Sequence, residues 1–117
     1  MPPGPEVYTS IVDAQKKAQP FVYPTGLVEV PMSPISDVTA FRAHFWKLDQ
    51  FLKAVRLGVE WAIQTGNVFD FLAHPSCLVV EDPGFETIKM VCDRVKQQKE
   101  RAEIVGLDRI ARRVAKS

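Results

Sequence analysis

Apolar positions along the chain alternate between helical and extended spacing. From Val7 to Gln19, the residues Tyr8, Ile11, Val12 and Ala18 mark a short amphipathic helix, which Pro20 stops. Phe21-Val22-Tyr23 reads as extended, Pro24-Thr25-Gly26 as a turn, and Leu27-Val28-Glu29-Val30 as a short strand closed by Pro31. A loop containing Pro31, Ser33, Pro34, Ser36 and Asp37 leads into a helical run from Val38 to Gln64, which Asp37 or Thr39 can N-cap. Phe41, Phe45, Leu48, Leu52, Val55, Val59 and Ile63 form its apolar stripe, with Trp46 and Trp61 off centre. The run is predicted to break near Lys47-Leu48-Asp49, and Gly66 to end it at C′.

Val68 to Ala73 is dense in bulky residues and reads as a second, buried strand. Glu81-Asp82-Pro83-Gly84 is a turn, and Phe85 to Lys99 a helix with Ile88, Val91, Cys92 and Val95 on one face. Glu103-Ile104-Val105 is a third strand, and Leu107 to Ala115 a closing helix. Strand and helix thus alternate three times. That order predicts an α/β fold with three short parallel strands joined by crossover helices. The first 20 residues form a proline-rich lead-in, extended and poorly fixed over Met1 to Pro5, followed by the short helix. The main unit spans 21–117.

Composition narrows the picture. The 117 residues, 46% hydrophobic and 25% charged, suit one small domain or part of a larger one. A formal net charge of +1 gives no electrostatic reason to expect a nucleic-acid or membrane partner. The Lys/Arg-rich tail, including Arg112-Arg113, is interspersed with acids and reads as a solvated helix face. No apolar run approaches the roughly 20 residues needed to span a bilayer. The start has no basic region followed by an apolar stretch, so no signal peptide is predicted and a cytoplasmic location is expected. Cys77 and Cys92 form no Cys-x-x-Cys motif and read as two unpaired, buried thiols in a reducing compartment.

The chemistry-bearing candidate is His74. In parallel α/β sheets, functional groups collect in loops at the carboxyl ends of strands, and His74 follows the second strand directly. The loops Pro31-Met32-Ser33-Pro34 and Gly106-Leu107-Asp108 leave the other two strands, and adjacent parallel strands would bring all three to one rim. An imidazole there serves as a general acid or base near neutral pH, or else caps the strand end by bonding a backbone carbonyl. Glu29 points either into the site or to solvent. His44, beside Phe45 and Trp46, has no ligand partner at i+4 and reads as structural. No Gly-rich phosphate loop, serine elbow or EF-hand pattern occurs.

Three stretches together resemble the C-terminal half of the polysaccharide deacetylase (NodB-homology) family. Gly26-Leu27-Val28-Glu29-Val30-Pro31-Met32-Ser33-Pro34 is similar to a late barrel strand with a Glu-x-Pro ending. Phe69-Asp70-Phe71-Leu72-Ala73-His74-Pro75 resembles the family's last motif, a hydrophobic strand ending in histidine. Ala102 to Ala111 looks like the terminal strand and helix. The resemblance covers roughly Phe21 to Arg113. It implies a partial (β/α) barrel over 21–117 and hydrolysis of acetyl groups on amino sugars. It also implies His74 as the acid that protonates the leaving group, with Glu29, Pro31 and Met32 at the substrate pocket.

The family also implies a divalent metal, often zinc, held by one Asp and two His, with a second Asp as base. This chain has no Asp-Asp motif of the Thr-Phe-Asp-Asp kind, no His-x-x-x-His and no Arg-x-Pro. A metal triad therefore has no ligand set here, and activity is expected only with an N-terminal partner half. The alternative expectation is a non-enzymatic module that forms a homodimer to close its incomplete barrel. A site shared across such a dimer, with His74 as base and Glu29 as partner, is a third reading.

Overall fold

The structure is a computed structural model that describes residues 3–116. Of the lead-in Met1–Pro5, Met1 and Pro2 lie outside the described residues, as does Ser117. The chain is built mainly of helices: α1 (Pro5–Lys17), α2 (Leu48–Thr65), α3 (Pro75–Glu81), α4 (Glu86–Gln97) and α5 (Leu107–Ala115). A π-helix spans Thr39–Ala43, and two short strands, β1 (Phe21–Val22) and β2 (Val28–Glu29), complete the set.

Helix α1 starts where Pro5, with its fixed φ and absent N–H, suits the first turn. Glu6 near its start and Lys16 and Lys17 near its end complement the helix dipole. It packs on α2, burying Tyr8 against Trp46 with ring centroids 6.1 Å apart. Helix α2 is the centre of the molecule: Phe51, Val55, Val59 and Ile63 recur every fourth residue and are buried in the core. Lys47 N–H donates to Gln50 Oε1 (2.8 Å) at its start, and Gly66 ends it with φ of 71°, the left-handed conformation that glycine adopts without strain. The Arg94 guanidinium clamps the Glu60 carboxylate through both nitrogens and so ties α4 to α2.

The parallel α/β arrangement, and with it the partial barrel, does not form. The described sheet is a two-stranded antiparallel hairpin in which Phe21 faces Glu29 and Val22 faces Val28. Residues 68–73, read as a second, buried strand, form no strand and are only half-buried. Side chains from other elements take up much of their backbone bonding. Gln19 Oε1 accepts from Val68 N–H (2.9 Å), and the Gln15 and Gln19 amides both donate to Val68 C=O (3.1 and 2.9 Å). The one backbone bond from the β2 side is Ser33 N–H to Asp70 C=O (2.9 Å). Residues 103–105, the third predicted strand, form no strand among the described residues either. Strand propensity depends on the partner it meets, and at Val68 two glutamine side chains take the backbone bonds that a neighbouring strand would have made.

The long helical run also differs from its pattern. The π-helix inserts an extra residue per turn, and Phe45 follows it in the left-handed region at φ of 55°. Together they re-aim the residues at the predicted break, after which α2 starts at Leu48 and Val55, Val59 and Ile63 of the expected stripe return to the core. Phe45, read as core, is 80% exposed, whereas Trp46 is buried and Phe51 has no exposed surface. Helix α3, beginning at Pro75 directly after His74, is an element that the apolar spacing does not reveal.

Candidate active site

The decisive group is a carboxylate. Asp37 lies at the end of the Pro/Ser loop and has no exposed surface. It does not cap the helix that follows; Ser36 does, its Oγ accepting from Thr39 N–H (3.2 Å). The Asp37 carboxylate instead accepts three bonds. Val38 N–H donates to Oδ1 (2.9 Å), His74 N–H to Oδ2 (2.6 Å), and the His74 ring through Nδ1 to Oδ1 (2.8 Å). Two of these join residues 37 positions apart and lock the loop after β2 to the end of the 68–73 segment.

The His74 side chain is 46% exposed, against none for Asp37. A carboxylate that already meets two backbone donors is an acceptor for Nδ1, so Nδ1–H points inward. That tautomer leaves Nε2 on the opposite edge of the ring as the site of proton exchange. A buried carboxylate that fixes one imidazole nitrogen and frees the other is the orienting half of a general acid–base pair.

Cys77, in the first turn of α3, is buried in the core. Burial, reinforced by the Asp37 charge, pushes its thiol above the ordinary range, while a bond to Arg42 acts in the opposite direction. A thiol raised in this way is a poor nucleophile, so Cys77 is a packing residue. Cys92, read from the sequence as buried, is exposed elsewhere, and both cysteines are free.

The other sequence candidates divide. Pro31 and Met32 belong to the loop that Ser33 pins to Asp70, four residues before His74, and Met32 is 56% exposed there. Glu29 is turned to its own hairpin, where its Oε1 accepts from Tyr23 O–H (2.6 Å). That bond, with burial and charge behind it, raises the Tyr23 hydroxyl above its usual range. No described contact joins Glu29 to His74. Asp108, in the third loop, pairs with Arg112 on α5 (2.6 Å). His44 is exposed, with its ring near that of Trp46 (centroids 6.2 Å apart). Among the described residues no group of three His, Cys, Asp or Glu is placed to hold a metal ion.

Asp37 is the candidate site residue that the apolar pattern did not single out. A short polar residue before a helix reads first as a cap. The available signal was the expected convergence of strand-exit loops, which makes the acid in one loop a partner for the histidine in the other. Comparison of the chain with protein-family models, curated proteins and solved structures found no match. Among the described residues, no helix is long and apolar enough to cross a membrane.

Proposed function

We propose that this chain supplies the proton-transferring group of a carbohydrate deacetylase acting on N-acetylated amino sugars. The reading rests on the Asp37–His74 pair, in which a buried carboxylate orients a half-exposed imidazole. Hydrolysis of an acetamide breaks the carbonyl carbon–nitrogen bond, and the departing nitrogen must gain a proton. Protonated His74 gives up that proton from Nε2, and Asp37 holds the ring in place as its charge changes. Half-buried Pro31 and exposed Met32, on the loop that Ser33 ties to Asp70, are the apolar residues this reading assigns to the sugar. The divalent metal implied by the resemblance has no ligand group among the described residues, and the proton transfer at Nε2 is independent of it. The remaining catalytic groups come, in this reading, from a partner half.

The test is nuclear magnetic resonance on protein with ¹⁵N-labelled histidine, titrated with tetra-N-acetylchitotetraose. The expected result is an Nδ1-protonated tautomer at His74, lost in Asp37→Asn, and a saturable shift of the His74 Nε2 signal. Shifts confined to His44, or none at all, refute the reading. Release of acetate from the same oligosaccharide by the isolated chain with zinc would refute the partner-half requirement.

A further inference from the structure

An apolar cavity of about 740 Å³ lies between the C-terminal end of α2, the 66–71 segment, α4 and α5. Ile63, Phe69, Val91, Cys92, Ile104 and Leu107 are among its lining residues. At roughly 30 Å³ per water it has room for about 25 molecules in walls that offer them few partners. The helix above it is unfinished in the same sense. Leu107, Ile110 and Val114 lie on one face of α5, yet no residue of α5 is buried. Ile104 and Leu107 are 62% and 53% exposed.

The total surface says how much is left uncovered. A folded monomer of 13.2 kDa exposes about 6,400 Å² by the usual size scaling, whereas this chain exposes 7462 Å². The excess, about 1,000 Å², is close to the roughly 800 Å² that each partner contributes to a standard stable interface. A net charge of +1 leaves little repulsion between copies. Leu107, Ile110 and Val114 of α5 themselves form one wall of the groove, so the surface is a single apolar patch that can meet its own copy across a two-fold axis.

We infer that this face binds a second copy of the chain, the α5 stripe and Ile104 of each protomer covering the groove of the other. Asp37, His74, Glu29, Pro31 and Met32 do not line the cavity, so this assembly stands or falls apart from the proposed chemistry.

Sedimentation velocity of the whole chain from about 1 to about 100 µM tests it, since micromolar dissociation is ordinary for such an area. The expected result is a species of twice 13.2 kDa that grows with concentration. Alkylation of Cys92, which is exposed in a single copy but lines the groove, should slow over the same range. Ile104→Glu and Leu107→Glu, at positions already more than half exposed, should each weaken dimerisation at least tenfold with an unchanged far-ultraviolet dichroism spectrum. His74→Ala should not alter it. A single 13.2 kDa species at the highest concentration overturns the inference, as does a dimer indifferent to both glutamates.

Discussion

Exchanging Asp37 for Asn separates its two roles, as scaffold and as partner to the imidazole. The carboxylate accepts from Val38 N–H, His74 N–H and His74 Nδ1, and it is fully buried. An asparagine of the same shape has one acceptor end and one donor end. Whichever way it turns, one backbone N–H that met an oxygen meets an amide nitrogen instead. Orphaning a buried donor costs about 1–3 kcal/mol. For a chain of this length that corresponds to a fall in Tm of about 4–12 °C, at roughly 4 °C per kcal/mol. His74→Ala behaves differently, because residue 74 keeps its backbone N–H bond to Oδ2 and Oδ1 keeps Val38 N–H as donor when the half-exposed ring and its Nδ1 bond are lost. Its cost should stay below about 1 kcal/mol, or about 4 °C. Thermal melts followed by circular dichroism at pH 7 measure both. If His74→Ala destabilises as much as Asp37→Asn, the ring is a structural strut and the argument for a freely exchanging Nε2 fails. If Asp37→Asn melts with the parent protein, the carboxylate does not hold these donors.

Three further outcomes follow from other positions. Burial raises the Asp70 carboxyl above its ordinary value of 3.8, so the folded chain binds its proton more tightly than the unfolded chain. The stabilisation is therefore complete below pH 3.8 and is lost as pH rises through the folded value; Asp70→Asn should raise Tm at pH 7 and leave it unchanged at pH 3, and equal effects at both would contradict it. Phe45 sits at φ of 55° while 80% exposed, so Phe45→Gly should relieve about 1 kcal/mol of backbone strain and raise the urea midpoint, whereas a fall would show that the ring packs somewhere. Gly58→Ala, favoured by helix propensity alone by about 1 kcal/mol, should instead lower Tm, because the new Cβ would lie 2.5 Å from the Phe69 ring.

The helices were legible where their signals are local. Pro20 and Gly66 bound the first and second helical runs as their backbone chemistry requires, and the faces of α1 and α4 follow from spacing. Phe41, Val55, Val59 and Ile63 of the predicted stripe are in the core, but its course around the break was not legible. One π-turn and one left-handed residue exchange the places of Phe45 and Trp46, and neither device has a mark in hydrophobic periodicity. Of the predicted extended stretches, Phe21–Val22 and Val28–Glu29 pair as strands, while 68–73 and 103–105 form none. Whether Val68 bonds to a strand or to the amides of Gln15 and Gln19 depends on residues about 50 positions away. The barrel expectation failed at that step, since apolar runs of this length fix a backbone preference and leave pairing open.

The site shows the same division between local and distant causes. Two aspartates, Asp37 and Asp82, are fully buried. Asp82 gives both oxygens to the start of α4, accepting from Glu86 N–H (2.8 Å) and Thr87 N–H (2.9 Å), so its role is complete within five residues of chain. Asp37 holds Val38 in the same local manner, but its other two donors come from residue 74. Any residue except proline at that position would supply the backbone donor and close the loop. The imidazole adds nothing that closure needs, and it leaves Nε2 facing outward with its orientation set by a buried charge. The part of the contact that stability does not require is thus the part that can move a proton.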